Sequence, residues 1–245
     1  MSPNAMPPSA ETFPRNKRNR VVRRPQRGFY DKETVHGILD SALLCHIAYV
    51  IEGQPFCTPT SFWREGERLY WHGSAASRML RNQAKGLPVC LTVTHMDAIV
   101  LARCGFNHSV NYRSVMAFGT ARLVEDTAEK LRLMDRFLER FFPGRAALMR
   151  PPSKQEIKAT SFMFMEIEDA SAKIRDVGVH DEEEDYAIPA WCALLPIKTT
   201  LGAIEECPRQ LPGVAMPPGM KGYVPGRPLD ELFHESYETY ARNFD

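Results

Sequence analysis

The chain has 245 residues and 27.8 kDa, with 44% hydrophobic and 25% charged residues. This is the composition of a soluble globular protein of one large or two small domains. Seven of the 31 basic residues and one of the 30 acidic ones precede Gly28, which leaves 24 against 29 and a formal charge of −5 beyond it. A basic arm therefore sits on a mildly acidic body. There is no apolar run of about 18 residues, and the N-terminus lacks the apolar core of a signal peptide, which argues against export and membrane spanning and for the cytoplasm. The six cysteines are scattered with no C-x-x-C pair, which fits reduced thiols and gives no zinc-ligand spacing.

Residues 1–27 hold prolines, polar residues and the run Arg15, Lys17, Arg18, Arg20, Arg23, Arg24 and Arg27, and read as a flexible arm. Its charge suits nucleic acid or an acidic partner, or serves as a solubilising tail. The lack of interleaved aromatics favours the solubilising tail over either binding role. Asp31 can cap a short helix carrying Val35, Ile38 and Leu39 on one face. Strands follow at 43–51 and 56–64 about the turn Glu52-Gly53-Gln54-Pro55, and at 68–72 after a second turn. Residues 77–85 read as a helix stopped by Gly86. Apolar runs at 88–94 and 98–103 flank Asp97, and a long strand at 112–125 contains Gly119, which marks a bulge or bend. Leu131, Met134, Phe137, Leu138 and Phe141 make residues 127–142 an amphipathic helix ended by Pro143-Gly144. Strands at 162–167 and 172–177, an irregular Pro-rich stretch at 208–227 and a helix at 229–240 complete the chain. Many strands joined by short turns point to a mainly β antiparallel barrel or sandwich, with residues 28–200 as its domain and 201–245 as a C-terminal extension.

Two clusters could carry chemistry. The first, Tyr70-Trp71-His72-Gly73-Ser74-Ala75-Ala76-Ser77-Arg78-Met79-Leu80, is a strand end, a small-residue turn and a helix start. It offers main-chain amides, Ser77 and Arg78 to a phosphate, or else it is an ordinary strand leading to a Ser77-capped helix. The second runs from Arg103 to Val115 and includes Asn111, Tyr112, Arg113 and Ser114. It suits an anion with a hydrogen-bonding heterocycle, or forms a solvated hairpin loop. No nucleophile–base set, Walker loop or dinucleotide glycine fingerprint occurs. His46 reads as a core histidine, and the acidic run at 181–185 as a solvated turn or a cation site.

In order and spacing these pieces resemble the pyridoxamine 5'-phosphate oxidase-like flavin-binding split-barrel family, and within it the nitroimidazole-resistance-like branch. The match is carried by Leu69-Tyr70-Trp71-His72-Gly73-Ser74 with Ser77-Arg78, by Pro88-Val89-Cys90-Leu91-Thr92-Val93-Thr94, by Asp97 with Ile99-Val100-Leu101-Ala102-Arg103, and by Asn111-Tyr112-Arg113-Ser114-Val115 with Gly119-Thr120-Ala121. Lys173-Ile174-Arg175 and the stretch from Ile188 to Pro196 extend it over about residues 29–200. The resemblance implies a six-stranded antiparallel split barrel, a homodimer, and FMN between the subunits. By position, Thr58, Pro59, Thr60 and Ser61 would line the ring edge through their backbone, and Trp71, His72 and Gly73 would lie along the flavin. Ser77, Arg78 and Met79 would sit near the phosphate, where many relatives carry a lysine in place of Met79, with Arg103 or Arg113 able to compensate. Asn111, Tyr112, Arg113 and Ser114 would complete the pocket, and Trp191 would arrive from the second subunit. The activity implied is an oxidoreductase passing reducing equivalents to a small-molecule acceptor, nitroaromatic or quinone-like, with His72 as the substrate-facing catalytic residue. The alternative is a flavin- or haem-binding protein of the same fold without turnover.

Overall fold

The structure is a computed structural model that describes residues 11–244. Its elements are β1 (Gly28–Phe29), α1 (Lys32–Asp40), β2 (Leu44–Ile51), β3 (Gln54–Glu65), β4 (Arg68–Ser74), α2 (Arg78–Gln83), β5 (Pro88–Leu101), β6 (Ser109–Thr120), β7 (Arg122–Leu123), α3 (Thr127–Phe141), α4 (Lys154–Ala159), β8 (Thr160–Glu166), β9 (Asp169–Arg175), β10 (Ala193–Pro196) and α5 (Leu229–Phe244). The strands form one antiparallel sheet in the order β1-β9-β6-β5-β2-β3-β4-β8-β7, with β10 on β5. The mainly β, split-barrel expectation holds. The count exceeds six: seven longer strands, β2 to β6 with β8 and β9, are joined by the short β1, β7 and β10. No described helix is long and apolar enough to cross a membrane.

The division of the barrel is written in β3. Residues 54–61 pair with β2, whereas residues 62–65 pair with β4, so the strand leaves one neighbour for the other part-way along. The inner face follows strand alternation: Cys45, Ile47 and Tyr49 of β2 and Val89, Leu91 and Val93 of β5 are buried, while Leu44, His46 and Val50 face outward. Strand β5 runs unbroken through Asp97, with a register shift between Met96 and Ala98. The expected bulge at Gly119 is replaced by continuous pairing with Val89. Its glycine serves a close approach, because a Cβ there would lie 2.3 Å from the Glu166 carbonyl oxygen.

Asp31 caps α1 by accepting from the Thr34 N–H at 2.8 Å, and Asp126 caps α3 in the same way from Glu129. Helix α3 lies over the other face of β4 and β8, closing a second core of Trp63, Tyr70, Phe141, Phe162 and Phe233. Beneath it, the Arg64 guanidinium donates to both oxygens of buried Asp40 at 3.0 and 2.6 Å, and Arg140 donates to the carbonyls of Asp40 and Phe233. These bonds join α1, β3, α3 and α5.

The flexible-arm expectation falls partly outside the described residues, at 1–10. Residues 11–27 are seated rather than free. Phe13 is buried in the main core, the Asn19 side chain donates to the Ala170 carbonyl at 3.1 Å, and Arg18 pairs with Asp169 and Glu168. One buried aromatic and a few specific polar bonds hold a segment whose average composition argues for disorder.

Candidate functional site

The crevice lies where β3 parts from β4. Over residues 54–61 the edge of β3 turned away from β2 has no backbone partner among the described residues. The opposite wall is the end of β4 and the start of α2. The two walls meet where the Arg78 guanidinium lies 4.4 Å over the Phe56 ring. Phe56 stacks on Tyr49 at 5.6 Å, and the Tyr49 hydroxyl is 3.0 Å from Thr58 Oγ1. Thus Thr58 and Arg78 flank one aromatic pair and Thr60 follows on the same face of β3, while Pro59 and Ser61 alternate to the outer face beside His46 and Leu44.

Ser77 stands at the helix N-terminus with extended backbone, yet its hydroxyl makes no capping bond. The amides of Arg78, Met79 and Leu80 have no backbone acceptor among the described residues. The capped-helix alternative assigned Ser77 to those amides, and that bond is absent. What remains is a hydroxyl, open N–H groups and a guanidinium without a carboxylate partner among the described residues, a donor set suited to a phosphate. Gly73 brings α2 close, since a Cβ there would meet Leu80 Cδ1 at 3.2 Å, and Met79 is buried beneath.

Trp71 and His72 point to opposite sides of β4. Trp71 is fully buried in the barrel and donates from Nε1 to Gln83 at 3.0 Å. His72 packs under α3, 4.8 Å from Phe137 and 5.2 Å from Phe162, with Nδ1 buried and unpartnered. Burial holds its imidazole below the ordinary value. Neither side chain opens onto the crevice.

The second cluster is paired largely from within the chain, with the buried Arg103 Nε left over. Arg103 donates from its main chain and its guanidinium to buried Asp181. Asn111 is buried, accepting from Arg175 and donating to the Val177 carbonyl at 3.0 Å. Arg113 is clamped by Asp97 at 2.7 Å and Asp230 at 2.8 Å, which hold its charge more firmly than usual. Ser114 donates to the Lys173 carbonyl, and Tyr112 is half-buried on β6. Strands β2 and β5 stand between this cluster and Ser61, about three strand spacings or roughly 14 Å. Within one chain the two groups do not meet. Trp191 is 74% exposed on the segment before β10.

A second concavity of about 690 Å³ lies at the end of the sheet, walled by Leu44, Met96 and Phe233 and reached by His46 and His95. His95 Nε2 is 3.0 Å from Ser41 Oγ, and burial lowers its affinity for protons. His46 is exposed on β2, not in the core as its apolar neighbours suggested, and no described residue hydrogen-bonds it. Sequence reasoning missed Phe56 and Tyr49 as the cleft floor, whose signal was the β-turn joining them, and Asp230, which has no local signal because it arrives from 117 residues away.

The family profile described as pyridoxamine 5'-phosphate oxidase matches residues 31–174. The chain belongs to the pyridoxamine 5'-phosphate oxidase-like family. No curated protein matches it. Among solved structures, the flavocytochrome Anf3 from Azotobacter vinelandii is 41% identical, covering 83% of this chain and 94% of that one with a TM-score of 0.78. The FAD and haem binding protein from Mycobacterium smegmatis is 32% identical over 81% of this chain and 98% of its own, with a TM-score of 0.76. A candidate 5-nitroimidazole antibiotic resistance protein from Bacteroides thetaiotaomicron is 20% identical over 60% and 86%, with a TM-score of 0.50, and shares the fold.

Proposed function

We propose that this member of the pyridoxamine 5'-phosphate oxidase-like family binds a flavin nucleotide in the β3–α2 crevice and transfers reducing equivalents to a small-molecule acceptor of nitroaromatic or quinone-like type. The observation that carries the reading is the uncapped start of α2, where the Arg78, Met79 and Leu80 amides have no backbone acceptor and the Arg78 guanidinium has no carboxylate partner among the described residues. Thr58 and Thr60 present main-chain groups to the ring edge, and Phe56 and Tyr49 provide an apolar wall. The bound ring supplies the hydride or electron chemistry, and the protein holds it in place. The phosphate seat serves FMN, the expectation from the sequence, and equally FAD, which is named for the M. smegmatis relative. His72 would tune the site through packing rather than by touching substrate. A homodimer would bring Trp191 and the Asn111–Ser114 strand of a second subunit toward the crevice, and the cytoplasm would keep the free cysteines reduced.

A haem in the cavity at the sheet end is a second reading, favoured by one observation. The His46 imidazole reaches a largely apolar concavity of cofactor size and has no hydrogen-bond partner among the described residues. The names of the two more similar relatives, a flavocytochrome and an FAD and haem binding protein, support pairing the two groups. Mass spectrometry of small molecules released from the purified protein, with its visible spectrum, tests both readings. Flavin absorbance with FMN or FAD released is expected, joined by a Soret band for the second. Protein that remains colourless after incubation with FMN, FAD and haemin overturns both.

A further inference from the structure

The basic run between Arg15 and Arg27 is a sequence feature that the crevice does not use, and its fixed position gives it a role. Among its cations only Arg18 has a carboxylate partner among the described residues, and Arg15 lies 4.4 Å over the Tyr30 ring. Lys17, Arg20, Arg23, Arg24 and Arg27 have no acidic partner among the described residues, and the first four are exposed. Arg15, Lys17 and Arg20 surround one hollow of about 400 Å³. The backbone beneath them is pinned by Phe13 in the core, by the Val21 N–H donating to the Tyr30 hydroxyl at 2.8 Å, and by Asn19 on Ala170.

We propose that this seated basic strap is a docking surface for a small acidic protein, of the kind that carries electrons to a redox site. The choice of that partner class rests on the flavin reading above. Three observations select an acidic protein face over nucleic acid. The strap's aromatic residues are turned inward, Phe13 and Tyr30 being buried, so no stacking platform accompanies the cations. The rest of the chain carries −5, which repels a long polyanion while leaving a compact acidic patch free to orient on the strap. Its position is also suitable. The Arg18 guanidinium lies 5.2 Å from the Phe118 ring, and Phe118, Cys90, Ala48 and Cys57 form one row across β6, β5, β2 and β3. Three strand spacings, roughly 14 Å, then separate the strap's inner edge from the strand that borders the crevice. Electron-carrier encounters use small, charge-steered, weak interfaces of this kind.

The test measures binding of the full chain to a plant-type [2Fe–2S] ferredoxin, a small acidic protein, by fluorescence anisotropy. The wild type is compared with the triple variant K17E/R20E/R23E, whose fold is checked by circular dichroism. Wild-type affinity should weaken about tenfold or more between about 50 and about 200 mM salt, and the variant should bind at least about tenfold more weakly at the lower salt. Should the variant not fold, the wild-type salt dependence alone decides. Salt-independent binding, no binding at low salt, equal affinity in a folded variant, or tighter binding of a short DNA duplex than of ferredoxin overturns the proposal. The measurement needs no bound flavin, so protein that takes up none removes the crevice reading and leaves this result standing.

Discussion

Arg78, Arg103 and Arg113 look equivalent in sequence, and only their partners separate them. Arg103 and Arg113 are committed to Asp181 and to the Asp97–Asp230 pair, and Arg78 faces the crevice over Phe56. Arg78→Ala should therefore lower flavin affinity by about 10- to 100-fold, the worth of one charge-assisted contact, with the melting temperature unchanged. Equilibrium dialysis with FMN measures it, and full retention would move the phosphate seat elsewhere. His72 yields a pH prediction. Burial lowers its folded pKa below 6.5, as it does for His95 and, to about 4, for His36. The unfolded chain then binds more protons in acid, so the stability these neutral rings permit is present above about pH 6.5 and is lost as pH falls, by at most about 1.4 kcal/mol per pH unit for each ring. His72→Phe removes one of these rings and its unpartnered Nδ1. The drop in melting temperature from pH 8 to pH 5 should shrink in that variant; an unchanged drop refutes the assignment.

At the scale of elements, what the sequence makes legible is whatever is encoded locally. The Asp31 cap, the apolar spacing of residues 127–142 and the Gly86 stop all appear where their chemistry puts them, because cap and periodicity act within a few residues. Features decided by distant partners are not legible. Gly119 reads as a bend, and its actual reason is the Glu166 carbonyl from β8. Gly119→Ala should cost about 1–3 kcal/mol in urea denaturation, since backbone rather than a flexible side chain must move. The N-terminal segment misleads in the same way: composition averages over 27 residues, while Phe13 and a few polar bonds at Arg18, Asn19 and Val21 supply the anchors. Phe13→Ala should destabilise by about 3–5 kcal/mol, whereas a free arm would tolerate it without change. The candidate site follows the same division. Ser77 and Arg78 were visible as a turn-to-helix pattern. The inward packing of Trp71, the outward packing of His72 and the saturation of Arg113 depend on which face of β4 meets α3 and on a carboxylate from α5.

At the scale of the whole molecule, the outer face of the sheet carries exposed apolar side chains. Interior strands of a sheet seldom leave large apolar side chains in water, yet Leu44, Met96 and Met116 are 56%, 50% and 46% exposed on the neighbouring strands β2, β5 and β6. The row through Pro59, His46, Thr92 and Met116 runs from the crevice strand across that face. A patch of this kind is stable when another surface covers it, and a second copy would also carry its own Trp191 and Asn111–Ser114 region toward this crevice, joining the two clusters that one chain keeps apart. Met116→Glu places a charge at the centre of the patch without touching the inner core, so the fold should persist. Sedimentation velocity should show the wild type as a dimer and the variant shifted at least about tenfold toward monomer, with flavin affinity falling in parallel. A wild type that is monomeric at all accessible concentrations refutes the shared site, and a monomeric variant that keeps its flavin confines the site to one chain.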